Sequence, residues 1–181
     1  MLIGMSEEKG MSLPSVGSAE ASPSHSAASL TSLPQRSRPV HGVHVELNKA
    51  TIVFLTVCTK DRRRYLATEE MHAALIDVWQ AATAWLVGRY VVMPDHIHLF
   101  AAPTGSEIPF DNWVRFWKSQ FTKRCPLPEH RWHPDHWDRR LRSGESYEEK
   151  WEYVRNNPVR HGLVSRPEDW PFQGEVNELA W

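Results

Sequence analysis

The first aromatic side chain in this 181-residue sequence is Phe54, and all nine tryptophans lie beyond it. A packed core needs such side chains, so the fold must be built from the later part of the chain. Residues 1–40 instead hold ten of the fifteen serines and four prolines. A segment of that composition buries too little apolar area to offset its ordering entropy and reads as a disordered tail. The expected organisation is therefore a Ser/Pro-rich tail over 1–40 and a single domain over 41–181. The tail does not read as a secretory signal, because Met1-Leu2-Ile3 is too short an apolar stretch and Glu7 and Glu8 follow at once. No apolar run approaches the ~18 residues a membrane span needs. Two cysteines, Cys58 and Cys125, cannot form a disulfide framework and fit a reducing cytoplasm. Lys plus Arg (21) nearly balance Asp plus Glu (22), for a net charge of −1. That balance argues against coating nucleic acid by bulk charge while leaving room for a local basic groove.

Within the domain, Thr51 to Thr59 is a β-branched apolar run, the pattern of a strand buried on both faces. Lys60 to Arg64 follows as a basic turn. Thr68 is placed to cap a helix running to about Ala82, with Met71, Leu75, Val78 and Trp79 along one stripe. Trp85 to Met93 and His96 to Ala101 read as two strands joined by a short Pro94-Asp95 turn, which implies antiparallel pairing. From Phe110 to Arg124 the apolar positions again follow helical spacing. Ser146 with Glu149 forms a capping box for a helix that Pro158 is expected to close. The order predicts an α+β domain, a small antiparallel sheet flanked by helices, of ferredoxin-like or RRM-like type.

Chemistry first appears in the strand Met93-Pro94-Asp95-His96-Ile97-His98-Leu99. Alternation puts His96 and His98 on one face, roughly 6–7 Å apart along the chain, and turns Ile97 and Leu99 into the opposite layer. Two imidazoles so placed can converge on one divalent cation, although H-x-H is short and needs a further ligand. A pair of half-exposed histidines without a ligand is the plainer alternative. Asp95 either orients an imidazole as a hydrogen-bond acceptor or serves the turn.

The helix from Ser146 to Asn157 supplies a candidate partner. Tyr147, Trp151 and Val154 share its core stripe, while Tyr153 and Asn157 lie one turn apart on a flank roughly 100° away. A phenol can attack phosphorus, and an amide oxygen can complete a nitrogen- and oxygen-rich metal shell. Lys150, on the same flank, can offset charge on a phosphate or phenolate. Against this, a Tyr beside a helix stripe is commonly a packing residue, and an Asn before Pro commonly ends a helix. His130, His133 and His136 make an H-x2-H-x2-H pattern, but Pro134 interrupts it and no Cys pair accompanies it.

Taken together, these blocks resemble the REP-associated tyrosine transposases and, more broadly, the single-tyrosine His-hydrophobe-His (HUH) transposases of small insertion sequences. The resemblance runs from about Val45 to the C-terminus and is most specific in MPDHIHL and YVRNNPVRHGLV. It implies a metal-dependent endonuclease and strand transferase acting on single-stranded, hairpin-bearing, REP-like DNA. By that likeness His96, His98 and Asn157 match the metal ligands, and Tyr153 matches the nucleophile. The resemblance further implies Mg²⁺ or Mn²⁺, and a covalent 5′-phosphotyrosine that conserves the phosphodiester energy for rejoining.

Local charge agrees with such a substrate. Between Arg115 and Arg142 lie Lys118, Lys123, Arg124, Arg131, Arg139 and Arg140, opposed only by Glu129, Asp135 and Asp138. Trp113 and Trp117 read as core, while Trp132 and Trp137, beside prolines and charges, are candidates for stacking on unpaired bases. Arg62 and Arg63 in the basic turn are further candidates for phosphate contact, although a charged turn is more often simply solvated. Two other functions fit the same residues: a domesticated hairpin-DNA binder that does not cleave, and a metal phosphoesterase in which Tyr153 is structural. Loop lengths do not decide between monomer and homodimer, or whether the tyrosine helix completes its own site or a neighbour's. The expected location is the cytoplasm, at the nucleoid when DNA is bound.

Overall fold

The computed structural model describes residues 51–141 and 147–179. The expected tail, Arg142 and the Ser146 end of the capping box lie outside them. The elements run β1 (Val53–Cys58), α1 (Glu69–Ala81), β2 (Trp85–Met93), β3 (His96–Pro103), α2 (Phe110–Arg124), β4 (Trp137–Arg140), α3 (Tyr147–Arg155), α4 (Asn157–Arg160) and β5 (Gln173–Glu175). They form one five-stranded sheet in the order β4-β1-β3-β2-β5, antiparallel at every pairing. The first six elements are thus β-α-β-β-α-β with the strand order of a ferredoxin-like sheet, and the fold is α+β as expected.

Both faces of the sheet are covered, which is why β1 is apolar at nearly every position. One face carries Val53, Leu55, Val57, Ile97 and Leu99 against α1 and α2, where Leu75, Trp79, Trp113 and Trp117 complete a continuous core. The other face carries Phe54, Val91, Met93 and Phe100 against Tyr147 and Val154 of α3 and against Trp170 and Leu179. The Thr68 hydroxyl accepts the Met71 N–H and caps α1. Among the described residues no helix is long and apolar enough to cross a membrane.

Three local differences from the sequence reading have physical causes. β4 and β5 carry no apolar alternation that could mark them: Trp-Asp-Arg-Arg and Gln-Gly-Glu are edge strands, recruited by the ladders of β1 and β2. The tyrosine helix stops at Arg155, just before Pro158 as expected, but Pro158 then opens the separate short helix α4, where its missing N–H has no helical acceptor to lose. The basic turn is a short 3-10 segment in which Asp61 (φ 55°) and Arg62 (φ 54°) both adopt the left-handed conformation, a costly one for residues with a Cβ.

Candidate active site

The sheet register assembles the site. Across the strands, Thr56 of β1 stands opposite His98 of β3 on one side and Trp137 of β4 on the other. Cys58 stands opposite His96. Directly opposed residues share a face, so His96, His98, Thr56, Cys58 and Trp137 lie on the face that α3 covers. Ile97 and Leu99 enter the opposite core.

The two imidazoles converge. Their Nε2 atoms are 3.1 Å apart, with the rings nearly perpendicular at 83°. Each opposite nitrogen is anchored: His96 Nδ1 lies 2.7 Å from Asp95 Oδ1, and His98 Nδ1 lies 2.8 Å from the Thr56 hydroxyl. An ionised carboxylate only accepts, so His96 carries its hydrogen on Nδ1 and presents a lone pair at Nε2. Thr56 donates or accepts as required. Nitrogen ligands ~2.1 Å from one cation stand about 3 Å apart when their bonds are at right angles, and the observed separation fits that geometry. Orientation of each ring by a hydrogen bond on its far nitrogen is the usual support of a metal-binding histidine.

Electrostatics keep both rings neutral. Burial lowers the His98 pKa to about 3, helped by repulsion from His96, Arg62, His161 and Lys150. Burial also lowers His96, against the opposing pull of Asp95. Burial alone would raise the Asp95 carboxyl, but the hydrogen bond from His96 and the charges beside it, including Arg62, hold the group below its usual range. Arg62 Nε reaches Asp95 Oδ2 at 2.8 Å, and its Nη1 donates to Cys58 Sγ at 2.9 Å. The left-handed turn at Asp61-Arg62 therefore folds this guanidinium back onto the Asp95–His96 pair.

The tyrosine helix packs on this same face. Tyr147 meets Phe100 with ring centroids 4.8 Å apart, and Val154 is fully buried. Lys150 links the two halves of the site. Its ammonium lies 5.2 Å from the Phe54 ring and 5.5 Å from the Tyr153 ring, while Phe54 stacks on His98 at 5.5 Å. Tyr153 is 55% exposed and open to a large substrate; Asn157, one turn later, is buried at 7%.

The remaining predicted residues divide by location. Arg139 stands opposite Phe54 and so shares the histidine face with Trp137, which is 40% exposed. Arg140 stands opposite Val53 and faces the other way. Arg63, Arg115 and Lys123 are exposed, and Arg124 pairs with Asp77 at 2.5 Å. Lys118 is buried, its ammonium donating to the His133 carbonyl at 2.8 Å. Trp132 packs against Trp117 and Phe121 at 5.6 and 5.1 Å. The three spaced histidines occupy separate environments: His130 stacks on Tyr65 at 4.3 Å, His133 accepts from the Asp135 N–H, and His136 lies 3.1 Å from Asp111. His136, Asp111 and Asp138 could together hold a cation, but Asp138 stands opposite Leu55 on the far face of the sheet. Sequence reasoning missed Thr56 and Phe54, whose roles depend on strand register, and His161 at the end of α4, whose ring lies 6.3 Å from that of His96.

A ferredoxin-like sheet with a His-hydrophobe-His strand beneath a tyrosine-bearing helix is the arrangement that the resemblance to tyrosine transposases leads one to expect. No family model matches the chain. It is 33% identical over 131 residues to the REP-associated tyrosine transposase of Escherichia coli (strain K12), a match covering 70% of this chain and 78% of that one. It is 23% identical over 147 residues to a Haemophilus influenzae protein of the same family description, covering 70% and 81%. A solved structure of a REP-associated tyrosine transposase bound to a REP hairpin aligns with a TM-score of 0.59 and 31% identity, over 72% of this chain and 80% of that one. The chain belongs to the REP-associated tyrosine transposases.

Proposed function

We propose that the protein cleaves and rejoins single-stranded DNA carrying a REP-like hairpin, with Tyr153 as nucleophile and a divalent cation held by His96, His98 and Asn157. The observation that carries this reading is the placement of Tyr153 and the paired histidines on one face, joined through Lys150 and Phe54. A structural relative bound to a REP hairpin supports the substrate class.

The histidine pair fits a divalent cation by its separation and its anchored far nitrogens. Such an ion, Mg²⁺ or Mn²⁺, when bound withdraws charge from the scissile phosphate. The chain's own residues do the rest. Asp95 and Thr56 fix the two ring orientations. Lys150 offsets charge on the phosphate beside the phenol. Trp137 and Arg139, at the β4 edge of the same face, are placed to take a flanking base and its phosphate. Tyr153 attacks phosphorus, its Oη–P bond forming as the P–O3′ bond breaks. The freed 3′-hydroxyl leaves the 5′-phosphate on the tyrosine, and attack by another 3′-hydroxyl reverses the step.

The test incubates the full chain with hairpin-bearing single-stranded DNA and Mn²⁺ or Mg²⁺, then resolves products on a denaturing gel. A covalent adduct abolished in Tyr153→Phe is the expected result. Hairpin binding with no cleavage would make the protein a non-cleaving binder, and cleavage surviving in Tyr153→Phe would make it a phosphoesterase.

A further inference from the structure

The four tyrosines of the chain fall into two chemical classes. Tyr65, Tyr90 and Tyr147 are partly or wholly buried, and burial raises each phenol, Tyr90 to about 12. Tyr153 alone is shifted down. The cause is a hydrogen bond from Arg160, then that residue's charge, with a smaller contribution from Lys150.

The geometry is independent of that shift. Arg160 Cζ lies over the Tyr153 ring, 4.7 Å from its centroid, and Lys150 Nζ lies 5.5 Å from it. Between the end of α3 at Arg155 and the start of α4, Asn156 keeps αR backbone angles, so the two helices follow one another with little change of direction. Lys150, Tyr153, Asn157 and Arg160 therefore recur at intervals of three, four and three residues, the spacing of a single helical stripe. Side chains on a helix lean toward its N-terminus, which carries Arg160 back over the phenol. Other cations nearby turn to carboxylates: Arg155 to Glu152 at 3.1 Å and Arg89 to Glu148 at 2.6 Å. Arg160 turns to the phenol. Both partners are exposed, so the contact does not serve a core.

We infer that Arg160 is a further catalytic residue, whose guanidinium holds the Tyr153 ring and stabilises its oxygen as the attacking phenolate. The inference rests on the reading of Tyr153 as nucleophile. The phenol proton passes to water before attack, the Oη–P bond forms as P–O3′ breaks, and the departing 3′ oxygen takes a proton from water. On reversal the guanidinium stabilises the same phenolate as leaving group. Arginine suits the role because its planar cation stacks on a ring while an N–H bonds the oxygen, and it stays charged at any working pH. Among the described residues, the charged groups acting on the phenol are Arg160 from α4 and Lys150 from its own helix.

The test has two arms on the full chain. First, the Tyr153 phenolate is titrated by ultraviolet absorbance, as the difference between each protein and the same protein carrying Tyr153→Phe, without DNA or metal. Arg160→Gln should move that titration up, and Arg160→Lys should move it less. Second, adduct formation on hairpin-bearing single-stranded DNA is followed against pH with Mn²⁺. Arg160→Gln should slow it on the order of tenfold for each unit by which the phenol rises, with the deficit shrinking as pH is raised and Mn²⁺ affinity unchanged. An unmoved titration and an unmoved pH profile in Arg160→Gln would overturn the inference. An Arg160-dependent titration in a protein that forms no adduct would overturn the nucleophile reading itself, and the catalytic role with it.

Discussion

The Nε2 atoms of His96 and His98 face each other at 3.1 Å, each ring anchored through its other nitrogen. Two lone pairs at that distance repel, so either His98 donates its Nε2 hydrogen to His96 or the pair takes up a cation, and metal binding decides between them. Mn²⁺ binding, followed by titration calorimetry on the full chain, should be lost in His96→Ala and His98→Ala. It should fall about 10–100-fold in Asp95→Asn, which weakens the support of His96 and the ion pair with Arg62 but removes no ligand. Unchanged Mn²⁺ affinity in His98→Ala would place the cation elsewhere, with the Asp111–His136–Asp138 cluster as the next site to test.

Gly88 couples the sheet to the tyrosine helix. A Cβ at this position would come 2.6 Å from the Leu179 side chain and 3.0 Å from the Tyr147 hydroxyl. Leu179 has a flexible end. Tyr147 does not, because its ring packs on Phe100 and its hydroxyl accepts the Arg89 N–H. Gly88→Ala should cost about 1–3 kcal/mol by overpacking. It should also slow adduct formation, because Tyr147 opens the helix that carries Tyr153. An unchanged melting temperature would show that Leu179 swings aside freely.

The elements that were legible in the sequence are those whose residues carry their own pattern. The apolar run of β1, the Thr68 cap and the apolar stripe of α2 each specify a local structure, and α2 runs from Phe110 to Arg124 as its spacing predicts. Alternation likewise fixed the common face of His96 and His98. What stayed hidden depends on register between distant strands. Thr56 is an ordinary strand threonine until β1 pairs with β3 and brings it to His98. Trp132 and Trp137 look alike beside prolines and charges, and only the ladder of β4 separates the half-buried one packed against the core from the one on the histidine face. Arg160 was obscured because Pro158 reads as a stop in sequence but sits in the first turn of a helix in the fold.

Lys118 gives the protein a measurable alkaline signature. Burial lowers its ammonium from 10.5 to about 8, while Asp135 and Cys58 oppose the shift. Between these two values the unfolded chain holds the proton and the folded chain does not, so stability rises with pH across that window. Below about pH 8 the cost of the buried charge is fully present. Urea midpoints from pH 7 to 10.5, taken as the difference between the wild type and Lys118→Met to cancel the other titrating groups, should therefore climb above about pH 8. A flat or falling difference would mean that the carbonyls of His133 and Pro134 hold the ammonium charged throughout.

Trp137 and Trp132 should separate in opposite senses. Trp137 is 40% exposed, meets the Phe54 ring edge-on at 5.6 Å, and shares the face of His98. Its indole is available to an unpaired base, a contact worth about 1–3 kcal/mol. Trp137→Ala should therefore weaken binding of hairpin-bearing single-stranded DNA roughly tenfold or more, with the melting temperature nearly unchanged. Trp132, half-buried, packs on Trp117 and Phe121 of α2. Trp132→Ala should cost about 3 kcal/mol of stability, while the DNA affinity of the protein that remains folded is retained. Fluorescence anisotropy with a labelled hairpin, read beside thermal unfolding, checks both. A Trp137→Ala protein that binds as tightly as the wild type would move the base-contacting surface off the β4 edge of the sheet.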